Sequence, residues 1–532
     1  MEDGGLRCRR RPSACPTKTM FVSRAVGSEM KKLIQHSSHY LAGLFGGLAI
    51  GFISFPIFTR VFTVADYGMI DFIQKILLVP TALSKAGMQN SVLRFYNEKE
   101  FSADRESAKR YYSTMLLGVA AMAVGITLVF LVAVKFLLRN LVDGPLATLL
   151  CFASALILLR AVESILLSFL RIEERTAAYN AASVLMKAAT VGTVLAFLPW
   201  LGRSVHTYLS ATMAAEIAIV AVLVAFLFRR RLLSAVSFDR TLFRSAVGFG
   251  LPLVFYELAG VILLTDDRAL VRHYLGAEAL GYYSVAYGLS QYVNDLMTVP
   301  LGLAILPIYL RLWSSEGRDK TTEFLHVSLD FYLMAAAGIY MLVTLGSHDA
   351  LLLLASPKYL GADRLIPYLV GGLLIYTTHV FLCAGLLIKK KTTVMAGAIV
   401  CSTALNVALN CLLLPKLGLQ GAAVALLFTH ICTILLLWLA SSRILPIGVR
   451  AGSLVKYGSA GLAGWAAAAP MAIQSHLLNA VARCTVGLCV YVAILFLLDA
   501  RLRALPGYLL RSRRDQPAIV PSTEPEEEAV CQ

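Results

Sequence analysis

Hydrophobic residues fill fourteen runs of the sequence, each about long enough for an α-helix to cross a bilayer, and short polar segments separate them. The pattern predicts an all-α polytopic membrane protein with about fourteen transmembrane helices. The predicted spans are 39–59, 68–93, 112–137, 146–170, 178–201, 207–228, 246–265, 281–309, 326–346, 366–388, 392–413, 421–441, 456–474 and 484–500.

Polar side chains interrupt the second predicted span at helical spacing. On one continuous helix over 68–93 they would share a stripe about 100° wide. They are Asp71, Gln74, Lys75, Lys85 and Gln89. Charge at bilayer depth costs about 3 kcal/mol per residue, so this face is expected to border protein or a water-filled cavity. Local pairing of Asp71 with Lys75 is the alternative, but Lys85 has no acidic residue one turn away.

The same segment recurs about 213 residues later, with Gly281 aligned to Gly68 and Tyr309 aligned to Tyr96. The second copy has its own polar stripe, which is neutral to acidic where the first is cationic. Its members are Ser284, Tyr287, Gln291, Asn294, Asp295 and Thr298. A repeat of this length predicts two related halves.

Other predicted spans also carry charge. Arg160 and Glu163 lie in the fourth span, Lys187 in the fifth and Glu216 in the sixth. Arg160 and Glu163 are candidates for a self-neutralising pair, and Glu216 is a candidate partner for Lys187 or Lys85. The alternative to such fixed ion pairs is a set of cations that faces a wet cavity and binds an anion.

Composition supports a membrane protein, because 58% of residues are hydrophobic and only 15% are charged. The net charge of +16 lies mostly in short segments between spans, which disfavours a nucleic-acid partner. With both termini in the cytoplasm, most Lys and Arg fall on the inner side, as the positive-inside rule requires. The ten cysteines show no CxxC pair or metal spacing, so no metal or cofactor is predicted.

The predicted organisation has two lobes, with short outer loops of which 266–280 and 347–365 are the longest. The segments are a basic cytoplasmic tail 1–37, an N-lobe 38–229, a basic cytoplasmic loop 230–245, a C-lobe 246–441, two extra helices within 456–500 and a disordered cytoplasmic tail 501–532. Outer loops this short leave no room for a catalytic domain, which disfavours a glycosyltransferase, polymerase or ligase.

Several short motifs carry a family resemblance that covers about 38–500. They are Phe58-Thr59-Arg60, Ala65-Asp66-Tyr67-Gly68, Gly87, Ser91-Val92-Leu93-Arg94-Phe95, Leu275-Gly276 and Gly281-Tyr282-Tyr283-Ser284. With these motifs the chain resembles the polysaccharide biosynthesis family, the repeat-unit flippases of O-antigen, capsule and exopolysaccharide assembly. This family belongs to the MOP superfamily, with the multidrug and toxin extrusion (MATE) antiporters and the lipid II flippases.

The resemblance implies two six-helix lobes around a central cavity and transport by alternating access, with no enzymatic activity. The implied substrate is a polyprenyl-pyrophosphate-linked oligosaccharide, moved across the bacterial cytoplasmic (inner) membrane for surface polysaccharide or lipopolysaccharide assembly. A polysaccharide polymerase and its chain-length machinery are the implied protein partners. A MATE-like drug or cation antiporter and a lipid II-type peptidoglycan precursor flippase remain the alternatives.

Residue chemistry divides the candidate site into three sets. Cations that offset the desolvation of a pyrophosphate are Lys85, Lys187, Arg160 and Lys75. Side chains expected to face the cavity and hydrogen-bond or stack on sugars are Gln74, Tyr287, Gln291 and Asn294. Carboxylates that could couple transport to an ion are Glu163, Glu216 and Asp295.

Overall fold

The computed structural model describes residues 43, 45–96, 104–137, 143–230, 232–234, 237–263, 265–499 and 503, and helix is the regular secondary structure throughout them. The predicted tails 1–37 and 501–532 lie outside these residues, apart from residue 503. The chain divides into two compact units, Met1–Ser284 and Val285–Gln532. The predicted lobe boundary falls earlier in the chain, within 230–245.

The first unit contains ten helices among its described residues, and an eleventh begins in it. They are α1 (Phe45–Val61), α2 (Val64–Ile76), α3 (Leu78–Lys85), α4 (Met88–Phe95), α5 (Arg105–Val132), α6 (Gly144–Ala153), α7 (Ala155–Ile172), α8 (Thr176–Leu201), α9 (Val205–Arg229), α10 (Arg240–Leu263) and α11 (Asp266–Ser315). A π-helical turn, Ala133–Leu137, extends α5. Helix α11 continues into the second unit.

The second unit continues with eight helices among the described residues. They are α12 (Gly317–Ala350), α13 (Ile366–Thr377), α14 (His379–Leu382), α15 (Ala384–Ile388), α16 (Thr392–Leu417), α17 (Leu419–Ser442), α18 (Ala451–Ala468) and α19 (His476–Leu498). Ten stretches of described helix are long and apolar enough to cross a membrane. Every one of the fourteen hydrophobic runs overlaps a helix.

The prediction of one helix over 68–93 was wrong, because this segment forms α2, α3 and α4. Pro80 has no N–H to donate to the carbonyl of Ile76, so one helical hydrogen bond is missing at the first break. At the second break Ala86 and Gly87 both adopt left-handed backbone angles, with φ of 44° and 69°. Lys85 therefore ends one helix, and Gln89 lies in the first turn of the next.

The prediction of loops at 266–280 and 347–365 was also wrong. Asp266 begins α11, which is interrupted by a non-helical turn at Gly276. The second segment completes α12 and then forms a π-helical turn and the 3-10 helix Pro357–Leu365. Burial stabilises this structure, since Leu351 and Tyr359 are fully buried.

Glycines allow two segments of the first unit to approach closely. A Cβ atom on Gly68 would lie 2.4 Å from the backbone nitrogen of Gly281, and one on Gly281 would lie 2.0 Å from the carbonyl oxygen of Val64. The start of α2 therefore packs backbone to backbone against α11. The two glycines in contact are the pair that the sequence repeat aligns.

In the second unit, the two extra C-terminal helices α18 and α19 pack against α12. The phenol of Tyr491 on α19 donates to the carbonyl of Met334, and its ring lies against Gly338. At one end of the contact the buried Asp330 accepts a hydrogen bond from Ser453. These contacts give the appendage polar anchors as well as apolar packing.

Candidate functional site

The breaks in the second predicted span direct its polar side chains to different neighbours within the first unit. Lys85 reaches α10, where its Nζ lies 2.6 Å from Oε1 of Glu257. Gln89 donates its side-chain N–H to the other oxygen, Oε2, at 2.8 Å. One carboxylate thus binds the end of α3 and the start of α4 together. The Lys85 and Glu257 side chains are 15% and 29% exposed.

A second charged group joins α2, α7 and α9. The Nε–H of Arg160 donates to Oε1 of Glu216 at 3.0 Å, and its NH2 group donates to the side-chain amide oxygen of Gln74. The other oxygen of Glu216 has no hydrogen-bond partner among the described residues and is buried. Glu163, one turn after Arg160, lies within electrostatic range of both charges. Glu216 therefore binds Arg160 rather than Lys85 or Lys187.

A third charged group joins α2 to the first turn of α11. Arg268 is almost fully buried, and its Nε lies 2.6 Å from Oδ2 of Asp71. Lys75, one turn after Asp71, also acts electrostatically on that carboxylate. The local pairing that the sequence allowed is thus supplemented by an arginine about 197 positions away.

Lys187 has a different environment from these paired cations. It lies on α8, is exposed, and donates from Nζ to the carbonyl oxygen of Gly47 on α1 at 3.2 Å. Within the described part of the chain, no carboxylate lies at ion-pair distance from it. An ammonium bound to a neutral acceptor keeps its positive field.

The candidate sugar-facing residues of the second unit lie along α11. Gln291 donates to Asp295 at 2.7 Å on the same helix. The side-chain oxygen of Asn294 accepts a hydrogen bond from Thr377 on α13 at 2.9 Å. Tyr287 is buried, with 5% of its surface exposed.

Sequence reasoning missed several members of these clusters. Glu257 was not identified from the sequence as the partner of Lys85, and Arg268 was placed in a predicted loop. In the second unit the rings of His379 and His430 both pack on Tyr376, with centroid distances of 4.7 and 4.8 Å. The available signal was that one predicted span has an acidic residue with no basic residue one turn away, and another has a basic residue with no acidic residue one turn away.

The described residues contain no group of three His, Cys, Asp or Glu side chains arranged to hold a metal. The charged clusters of the first unit instead combine guanidinium, ammonium and carboxylate groups from separate helices. Such clusters can bind an anion at a cation, or exchange one carboxylate for another anionic group.

The profile of the polysaccharide biosynthesis protein family matches residues 35–313, just over half of the chain. Among solved structures, the lipid II flippase MurJ in an inward closed conformation is similar with a TM-score of 0.71 and 12% identity, covering 87% of this chain and 99% of that one.

A multidrug resistance MATE family transporter of the MOP superfamily is similar in two conformations. The inward-facing form gives a TM-score of 0.61 at 15% identity, over 74% of this chain and 97% of that one. The outward-facing form gives 0.54 at 15% identity, over 77% and 95%. At these identities the similarity establishes a shared fold. A comparison with curated proteins found no significant match.

Proposed function

Because the chain belongs to the polysaccharide biosynthesis protein family, we propose that it is a flippase for polyprenyl-pyrophosphate-linked oligosaccharide repeat units. It moves them across the bacterial cytoplasmic membrane by alternating access, for the assembly of a surface polysaccharide. O-antigen, capsule and exopolysaccharide are the candidate products. A polymerase with its chain-length machinery is the expected protein partner, since the exported unit must be joined to others.

The observation that carries this proposal is the set of basic side chains on apolar helices of the first unit. Lys85 and Arg160 are partly exposed, and Lys187 is exposed. A pyrophosphate carries two or more negative charges and cannot cross hydrocarbon without compensation. Cations that water can reach within such helices supply that compensation.

The proposed topology has fourteen spans, two six-helix lobes, two extra helices and both termini in the cytoplasm. In this topology Lys85 and Lys187 lie in the cytoplasmic half of the membrane, and Arg160 lies near mid-depth. The cations would then form a loading route from the inner side outwards. The overlap of every hydrophobic run with a helix supports the span assignment.

We assign the pyrophosphate to the four basic side chains predicted from the sequence: Lys85, Lys187, Arg160 and Lys75. The sugars are assigned to Gln74, Tyr287, Gln291 and Asn294, which offer amide and phenol groups to hydroxyls. Ion coupling, if transport uses it, is assigned to Glu163, Glu216 and Asp295. Tyr287 and Asn294 are 5% and 7% exposed, so the surrounding structure must rearrange before sugars reach them.

Complementation tests the function directly. A strain that lacks its own repeat-unit flippase should regain surface polysaccharide when it expresses this chain, and lipid-linked repeat units should stop accumulating. Lys187→Gln should lower export without lowering the amount of folded protein. Lys109→Gln is the matched control, because Lys109 forms an exposed pair with Glu106 within α5. The proposal would be contradicted if the wild-type chain restored export in none of several strains that each make a different repeat unit.

A MATE-like antiporter is the second candidate, and one observation favours it. Glu216 has a buried oxygen without a hydrogen-bond partner among the described residues, with Glu163 close by. Carboxylates in that state suit a cationic drug or a coupling ion. Lowered ethidium accumulation in cells that express the chain, abolished by Glu163→Gln, would support this candidate. A lipid II-type flippase is tested by rescue of a strain depleted of its own peptidoglycan precursor flippase.

A further inference from the structure

We propose that Glu257 occupies, in this conformation, the position that the anionic group of the substrate takes on Lys85 and Gln89. The ion pair is then an exchangeable latch that holds α10 against α3 and α4, and the substrate opens it by replacing the carboxylate. The inference rests on the proposed function, because it takes a pyrophosphate-bearing lipid as the competing anion.

The geometry of the latch suits exchange with a phosphate. The two oxygens of Glu257 accept from two donors, at 2.6 Å from Lys85 and 2.8 Å from Gln89. These donors lie on either side of the left-handed turn at Ala86 and Gly87, which fixes their spacing. Two oxygens of a phosphate group present the same acceptor pair as a carboxylate and carry more charge.

Beside the latch, α10 also contacts the α3–α4 turn and α4 through backbone packing and a hydrogen bond. A Cβ atom on Gly87 would lie 2.2 Å from the carbonyl oxygen of Gly250, so the backbones of the α3–α4 turn and α10 touch. One turn further along α4, Ser91 donates to the carbonyl of Ala246 at 2.6 Å. Close packing and one hydrogen bond thus accompany the ion pair, so loss of the pair removes the charged element of the contact.

Accessibility distinguishes this pair from the other two ion pairs of the candidate site. Arg268 is 2% exposed against 23% for Asp71, and Glu216 is 7% exposed against 18% for Arg160, so one partner of each of these pairs is enclosed. Lys85 and Glu257 are 15% and 29% exposed, so neither partner of this pair is fully enclosed by protein. An incoming anion can therefore replace Glu257 without first exposing a buried charge.

Exchange also couples binding to movement. A ligand shifts a conformational equilibrium only by its difference in affinity between the two states. In the latched state the carboxylate occupies the donors, so the anion binds well only when α10 has moved away. Removing the carboxylate should therefore both loosen α10 and raise the affinity for the anion.

The test uses the full chain in lipid nanodiscs, with the native cysteines replaced and a reporter Val254→Cys. Val254 lies one turn before Glu257 on α10 and is 2% exposed, so the rate of maleimide labelling reports opening. The probe is geranylgeranyl pyrophosphate, with geranylgeraniol as the control for the lipid chain. Glu106→Gln is the matched control variant, because it removes a carboxylate from an exposed lysine pair elsewhere.

With the latch intact, the pyrophosphate probe should raise the labelling rate at least about tenfold, a free-energy change of about 1.4 kcal/mol, and geranylgeraniol should not. Glu257→Gln should label fast without ligand and bind the probe more tightly. The double variant Lys85→Glu with Glu257→Lys should regain slow labelling, because a pair of opposite charges is restored. It should not respond to the probe as wild type does, because the lysine now lies on α10.

Three results would overturn the latch. The first is probe binding that leaves labelling unchanged in wild type, and the second is equal probe affinity in wild type and Glu257→Gln. The third is a charge-swapped variant that exports glycan at the wild-type level, since that makes the pair structural only. Export in the complementation assay separates the two proposals. Wild-type export with any of these results leaves the flippase assignment intact and removes the latch, whereas no export contradicts the flippase assignment itself.

Discussion

Removal of Arg160 should destabilise the protein more than removal of its partner. In Arg160→Gln the carboxylate of Glu216, 7% exposed, loses its counter-charge while its second oxygen has no hydrogen bond within the described structure. Breaking a buried ion pair from one side costs about 3–5 kcal/mol. In Glu216→Gln the new amide oxygen can still accept from Arg160, which also keeps its bond to Gln74. The expected cost of that change is about 1–2 kcal/mol.

Reversible SDS titration in mixed micelles, followed by near-ultraviolet circular dichroism, measures these free energies of unfolding. The double variant Arg160→Gln with Glu216→Gln should be more stable than the sum of the single changes predicts, by at least about 1 kcal/mol, since the two residues are in contact. Equal losses for both single variants, or a stable Arg160→Gln protein, would refute the reasoning. Arg160 would then be a freely hydrated cation and not half of a structural pair.

The other predictions concern export, packing and the tails. Lys187→Gln should cost less than about 1.5 kcal/mol of stability, because its described contact is one hydrogen bond to a backbone carbonyl. A melting temperature as low as that of Arg160→Gln would contradict this. Gly281→Ala should lower the monodisperse fraction in size-exclusion chromatography, because its Cβ has no space, whereas Gly125→Ala, whose Cβ meets open space, should not. Deletion of 1–37 and 505–532 should leave export within about twofold of wild type, since neither composition favours a packed core; loss of export with normal insertion would count against it.

The helical, membrane-spanning nature of the chain could be predicted because it depends on the hydrophobicity of contiguous runs. The breaks within the second span could not all be predicted. Gly87 is a recognisable signal for left-handed backbone, but Ala86 beside it is not, and alanine is a good helix former. The angular stripe computed across 68–93 therefore joined residues that the structure places on three helices.

Candidate residues were found from the cost of burying charge, but their partners were not. Lys85 and Glu257 are 172 positions apart, and no local pattern reports which helix faces which. Arg268 was assigned to a loop because the predicted hydrophobic span ends at residue 265. Asp266 and Asp267 instead lie in the first turn of α11, where they suit the positive end of the helix dipole. Register between distant helices was the missing information.

One backbone contact joins the two copies of the segment that is repeated in the sequence. Residues that are equivalent in two related segments touch each other only if they lie near the symmetry axis that relates the segments. Gly68 and Gly281 are aligned by the repeat and meet backbone to backbone. The contact explains why both positions need a residue without a side chain, whereas a pseudo-twofold relation between the segments stays a prediction.

Charge balance connects the stability of the empty protein with its proposed activity. Lys85, Arg160 and Arg268 each meet a carboxylate from another helix. Without those carboxylates, three charges at bilayer depth would cost on the order of 9 kcal/mol, which is comparable with the whole stability of a typical folded protein. The acids are therefore needed while no substrate is present. On the proposed function an anionic substrate brings its own negative charge and can replace a carboxylate, and we expect Glu257, at 29% the most exposed of the three acids, to be replaced first.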